Sequence, residues 1–305
     1  MSELWNDYLG PHPFDYSLVR DSPTTYVLRV TRTAPEPPEL SVLFGEWLYN
    51  MRSALDYTIW AAALYASGQT PPPGEGGLQY PIYDEAAAWK NNLWRLKPLA
   101  DHHREMLLTM QPFNSNLDAN FLGWINRLAR IDRHRRLAIW TARIAETNPV
   151  FKVPSGETPK MEWGQRVFHD GVCDHARLTF SSAEVADGIE VNPRSGIDPE
   201  IKEWSDSTFW GRYRFSDRLK LMYVFVKGEV GLYEYDCTGA SDTDMASDTF
   251  KAESDARRAG GLFPPLAIAP AATVHWVSAG EAAPSTDAKF RGLDFPREGP
   301  GPATR

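Results

Sequence analysis

The chain has 305 residues, 42% of them hydrophobic and 24% charged, which is an ordinary globular composition with material for one large or two small domains. A formal net charge of -8 excludes wholesale coating of nucleic acid, although not a local basic patch; the two cysteines, Cys173 and Cys237, are too few for a disulfide scaffold and stand at no metal-ligand spacing. No apolar run approaches the ~20 residues that span a bilayer, and the first residues lack the basic start and apolar centre of a signal peptide, so a cytoplasmic protein with no membrane partner is expected.

In chain order, residues 1–20 read as irregular because Pro11 and Pro13 block regular structure. Residues 24–33, TTYVLRVTRT, alternate as a strand does. The proline-rich APEPPEL ends that strand, and Ser41 is placed to cap a helix over 41–66. At about 100° per residue, Phe44, Leu48, Met51, Leu55, Ile59 and Ala62 form one apolar stripe of this helix. Leu43, Trp47, Ala54, Ala61 and Tyr65 form a second stripe beside it, so cover on more than one side is expected. Arg52 and Asp56 flank the first stripe four residues apart, within reach of each other, with Tyr49 beside them.

SGQTPPPGEGG is a loop, QYPIY (79–83) an extended piece, and two helical segments then meet near Pro98. In the second segment, His102 and His103 are adjacent, point in different directions on a helix and receive no role. Neither a metal site nor a cofactor is expected. Residues 117–145 read as a helix with an apolar face of Leu117, Phe121, Trp124, Ile125, Leu128, Ile131 and Ile139. Asp132 and Arg135 fall inside that face, and Arg127, Arg130 and His134 lie beside it. A charge on an apolar face costs several kcal/mol unless paired. The pattern therefore makes the two long helices antiparallel neighbours sharing the cluster Arg52, Asp56, Asp132 and Arg135.

From residue 148 the composition changes. Residues 148–166 read as loop, followed by strands at 166–168, 176–181, 188–192, 212–215, 219–226 and 229–235, with Lys227-Gly228 as a hairpin-like turn. Residues 240–305 are small, polar or Pro/Gly-rich and read as a flexible tail, with one edge strand at 273–278. The fold class is α+β: a helical bundle with an N-terminal strand over 1–147, a strand-rich region packed on it over 148–239, and the irregular tail over 240–305.

Several pieces carry a resemblance: GEWLYNMRSALDY (45–57), Tyr80-Pro81-Ile82, Gln111-Pro112-Phe113 and Ile131-Asp132-Arg133-His134-Arg135. In order and spacing they resemble a bacterial family, frequent in actinobacteria and mobile elements, whose signature reads GDALHNLRSALDHLxW, then FPI, QPY and LxxLxxIDKHR. Tyr49 and Tyr57 stand where that signature has histidines. The helix pair is also similar to HEPN domains, helical bundles that often act as metal-independent ribonucleases in toxin or phage-defence systems. Their motif separates an arginine from a histidine by four to six residues, which Arg127 and His134 match, although Leu128 stands where a polar residue is usual.

The resemblance implies an endoribonuclease working as a homodimer, with RNA on a local basic stripe. Arg127 and Arg130 would hold the scissile phosphate and His134 would act as general acid or base. Arg52, Asp56, Asp132 and Arg135 would form the shell around them. The alternative is a non-catalytic binding or interaction protein with a protein partner, in which the same four charges fix helix register.

Overall fold

The computed structural model describes residues 1–134, 140–238 and 275–277, with the backbone alone for 133, 134 and 275–277. The N-terminal residues are regular, contrary to expectation. Helix α1 (Ser2–Leu9) is followed by strand β1 (Phe14–Ser22), which pairs antiparallel with β2 (Thr25–Arg32). Pro11 and Pro13 occupy the join between α1 and β1, where no ladder hydrogen bond is needed, so they separate two elements rather than preventing them. Trp5 anchors α1, its indole Nε1 donating to the Ile197 carbonyl at 3.2 Å.

Helix α2 (Glu39–Ser67) starts two residues before the expected cap, and Ser41 lies inside its first turn, its N–H donating to the Pro38 carbonyl. The chain leaves α2 through Gly68 at φ 64°, a left-handed conformation that favours glycine, with its N–H on the Leu64 carbonyl. The first apolar stripe is core: Phe44, Leu48, Leu55, Ile59 and Ala62 are buried. The second is covered only in part. Trp47 and Ala54 are half-buried, whereas Leu43, Ala61 and Tyr65 are exposed.

Helices α3 (Ala86–Asn92) and α4 (Asp101–Thr109) fall on either side of Pro98. Helix α5 (Phe121–His134) begins at Phe121 rather than 117 because Asn120 caps it, Oδ1 accepting the Gly123 N–H at 2.7 Å. Its far end is also corrected: 140–145 is not helical. Strand β3 (Trp140–Thr147) occupies it, pairing antiparallel with β8 (Ser195–Ile201). Residues 148–166 are not wholly loop either, since they hold β4 (Val150–Lys152) and β5 (Lys160–Trp163). Strand β6 (Val172–Thr179), helix α6 (Ala183–Ala186), strand β7 (Glu190–Asn192) and helix α7 (Lys202–Ser205) follow.

The largest correction concerns 212–235, expected as three strands with a hairpin. Residues Phe215–Thr238 form one helix, α8, which runs through Lys227-Gly228 without a turn. Valines, phenylalanines and tyrosines suggested strand by composition, but burial follows a helical period: Phe215, Leu219, Met222, Phe225, Val226, Glu229, Tyr233 and Cys237. Burying that face against α2 outweighs the local preference. Helices α2, α5 and α8 pack on one another, α2 making the larger contacts with both partners.

The strands form a sheet β1-β2-β6-β5, a two-stranded β3-β8 pair and a sheet β7-β4-β9, where β9 (His275–Val277) runs parallel to β4. It falls within the edge strand expected at 273–278. The rest of the expected tail lies outside the described residues. The main core joins the helices to β3, β8 and Val30 of β2, with Trp124, Trp140, Trp204 and Trp210 at its centre. A smaller core contains Leu28, Phe151, Ala176, Leu178 and Phe180. The register shift between Leu28 and Arg29 separates the part of β2 that serves one core from the part that serves the other. Among the described residues no helix is long and apolar enough to cross a membrane.

Candidate functional site

The pair Arg52 and Asp56 is present, and its object is a backbone. Arg52 Nη2 meets Asp56 Oδ1 at 3.0 Å and donates to the Tyr80 carbonyl at 2.6 Å, while Asp56 Oδ1 accepts the Tyr80 N–H at 2.9 Å. One turn of α2 thus grips both polar groups of a single residue in an extended segment that has no sheet of its own. Gln111 holds the next stretch of the same segment through two of its residues. Its Nε2 donates to the Pro81 carbonyl at 2.8 Å and its Oε1 accepts the Tyr83 N–H at 3.0 Å. Tyr80 then reaches α8, its hydroxyl donating to Glu229 Oε2 at 3.0 Å. Arg52, Tyr80, Gln111 and Glu229 are all buried. Three of the four pieces quoted above, RSALD, YPI and QPF, therefore meet around one strand-like segment.

Asp132 sits elsewhere. Near the C-terminal end of α5 its carboxylate packs on Gly45, near the start of α2, so closely that a β-carbon on Gly45 would come within 2.7 Å of Oδ1. This approach puts the end of α5 beside the beginning of α2. Gly45 is two helical turns, roughly 10 Å, from Arg52. Gly45→Ala must therefore separate the helices or displace the carboxylate, and is expected to destabilise by about 1–3 kcal/mol. Asp132→Ala in the same chain should recover most of that loss; additive losses in urea unfolding would show that the close approach is not the cause.

Arg127 and Arg130 are exposed on α5, and the Arg127 guanidinium lies over the Trp124 ring, 4.6 Å from its centroid. The side chain of His134, and Arg135 altogether, lie outside the described residues.

A second polar cluster has no counterpart in the sequence analysis. Arg218 of α8 makes a two-pronged pair with Glu200 of β8, at 2.6 and 2.8 Å, and Arg143 of β3 approaches the same carboxylate at 3.4 Å. Glu200 and Arg218 are fully enclosed. Asp198, two residues before Glu200 on the same face, is buried too, and burial pushes its carboxyl up to about 6 against the opposing pull of the Phe215 N–H, Arg218 and Arg143. The arrangement ties β8 to α8 within the aromatic core, Arg218 also lying over Trp204.

Two features remain at the C-terminal ends of α2 and α8. Between them runs a groove of about 680 Å³ lined by Ala54, Tyr57, Ala61, Tyr65, Tyr233 and Cys237, among others, and its walls are overwhelmingly apolar. No family model, curated protein or solved structure matches the chain. The site is therefore read from its geometry. The groove is the uncovered half of α2's second stripe, facing α8. At its end, His102 and His103 do not diverge as expected: both Nε2 atoms lie 2.6 Å from Oδ2 of Asp236, in the last turn of α8. At the first turn of α4, each ring can swing to a partner beyond the helix end, and that partner is 133 residues distant from His103, outside the reach of local spacing. Burial, and then His102, hold His103 below the ordinary histidine range, against the opposing pull of Asp236.

Proposed function

We propose that this chain is a binding protein whose groove between α2 and α8 takes an apolar small molecule, and that Arg52 and Asp56 are structural. The observation that carries the reading is the half-covered second stripe of α2. An apolar helix face left open beside a second helix, with a volume in the range of small-molecule sites and tyrosines around it, suits a compact hydrophobic ligand. The clamp on Tyr80 supports the structural half, because both side chains are already engaged with the backbone they hold.

The test uses a fluorescent apolar probe, 1-anilinonaphthalene-8-sulfonate. Wild type is expected to bind it saturably, near one per chain. Ala61→Trp, a change at an exposed groove position, should weaken binding about tenfold with unchanged circular dichroism. Equal binding by both would remove the groove as the site.

The ribonuclease reading has one observation in its favour, the exposure of Arg127 and Arg130 three residues apart on α5. The same samples incubated with total RNA in EDTA separate the two readings. The binding-protein reading expects no cleavage. Cleavage that disappears in His134→Ala would transfer the assignment to a metal-independent nuclease centred on α5.

A further inference from the structure

Three side chains that can ligate zinc, His102, His103 and Asp236, converge where α4 begins and α8 ends, with Cys237 beside one of them. His102 Nε2 and His103 Nε2 each stand 2.6 Å from Asp236 Oδ2, and the three donor atoms lie within 4.8 Å of one another. Cys237 Sγ is 3.9 Å from His103 Nε2. Neighbouring residues on a helix normally point about 100° apart, yet these two imidazoles turn to the same oxygen, their ring centroids 4.2 Å apart. His103 is almost wholly buried and its ring lies against Tyr233, so its position is set by packing, whereas His102 and Asp236 are exposed and leave an entry path.

Hydrogen bonding alone serves this arrangement poorly. The Nδ1 of His103 has no hydrogen-bond partner among the described residues although it is buried. With the hydrogen on Nε2, Nδ1 is a bare acceptor in the core; with it on Nδ1, that N–H has no partner and the Nε2 lone pair is turned on a carboxylate oxygen. A cation at Nε2 removes the second difficulty and fixes the tautomer with Nδ1–H.

We propose that His102 Nε2, His103 Nε2, Asp236 Oδ2 and Cys237 Sγ bind one divalent transition cation of the zinc class. Metal–nitrogen and metal–oxygen distances of about 2.0–2.1 Å, and about 2.3 Å to sulfur, give tetrahedral edges near 3.3 and 3.6 Å. The separation of Cys237 Sγ from His103 Nε2 is already close to that edge, whereas the nitrogen–oxygen contacts need to open by about 0.7 Å and His102 and Asp236 need to turn toward the sulfur, movements that their exposed side chains allow. Two imidazoles, one carboxylate and one thiol favour zinc over magnesium or calcium, which prefer oxygen. The C-terminal end of the 24-residue α8 adds a favourable field for a cation. On binding, Cys237 enters as thiolate and gives its proton to solvent. The inference does not depend on the groove having a ligand.

The experiment uses the full chain, stripped with EDTA, exchanged into chelator-free buffer and titrated with zinc chloride by calorimetry. Wild type is expected to bind one zinc per chain with a Kd below about 1 μM. Saturating zinc should raise its unfolding midpoint by roughly 5 °C. Asp236→Asn keeps the shape of the side chain and should weaken binding at least about 30-fold and abolish the zinc-dependent shift. Cobalt(II) then reports the ligands, with intense visible bands for a tetrahedral site and a near-ultraviolet thiolate band that Cys237→Ser should remove. Absence of stoichiometric zinc binding by natively folded wild type, or undiminished binding by Asp236→Asn, overturns the site. A near-ultraviolet band that survives in Cys237→Ser overturns the cysteine ligand.

Discussion

Arg52→Ala is expected to lower the unfolding free energy by about 2–4 kcal/mol, measured as a shift in urea midpoint at constant slope. The substitution removes the ion pair to Asp56 and the charge-assisted hydrogen bond to the Tyr80 carbonyl, both on the inner side of α2. Breaking a fully buried pair costs about 3–5 kcal/mol; the Asp56 side chain is 28% exposed, and solvent screening reduces the figure. Arg52→Lys should recover less than half of the loss, because one ammonium cannot serve the carboxylate and the carbonyl together with the guanidinium's geometry. A midpoint unchanged within about 0.5 kcal/mol would mean that the Tyr80 segment is held by its side chains alone, and would free Arg52 for another role.

Asp198→Asn should act in the opposite direction. The folded-state pKa of about 6 stands above the ordinary aspartate value of 3.8, so the folded form holds the proton more tightly than the unfolded one. The sign follows from linkage: the contribution is fully present below the unfolded value and is lost as pH rises through the folded one. Wild type therefore gives up about 2–3 kcal/mol at this position between pH 4 and pH 8. The amide has no charge to lose, so Asp198→Asn is expected to equal wild type near pH 4 and exceed it by about 1–3 kcal/mol at pH 8. Glu200→Gln, which breaks the two-pronged pair with Arg218, should instead cost about 3–5 kcal/mol at pH 8. An Asp198→Asn chain less stable than wild type at pH 8 would show that the charged carboxylate is welcome beside Arg143 and Arg218.

The α2 stripe and the Arg52–Asp56 spacing both follow from a helical period within one segment, and the partner of the pair, Tyr80, lies in an extended piece that was recognised without a reason for its being there. Helix α8 was missed because its valines and aromatics favour strands on their own, whereas the burial that decides the matter comes from α2. The carboxylate of Asp132 lies against Gly45, a contact that no charge-pairing argument can find. Glu200 with Arg218 bridges β8 and α8, and His102 with His103 meets Asp236 across 134 and 133 residues. Clusters of this kind are products of the fold. Two adjacent histidines are a weak signal until the element that supplies the third donor is known to be a helix ending beside them.

The pairing of β9 with β4 bears on where the polypeptide can be cut. Val150, Phe151 and Lys152 are flanked by β7 on one side and by His275, Trp276 and Val277 on the other. A truncation after Thr238 would strip one row of partners from β4 and turn an interior strand into an edge, with Phe151 at its middle, the kind of surface that recruits strands from other molecules. Trimming that begins after Val277 leaves the ladder whole. The two boundaries should differ in how the purified product behaves on standing: the shorter one aggregates, the longer one stays dispersed.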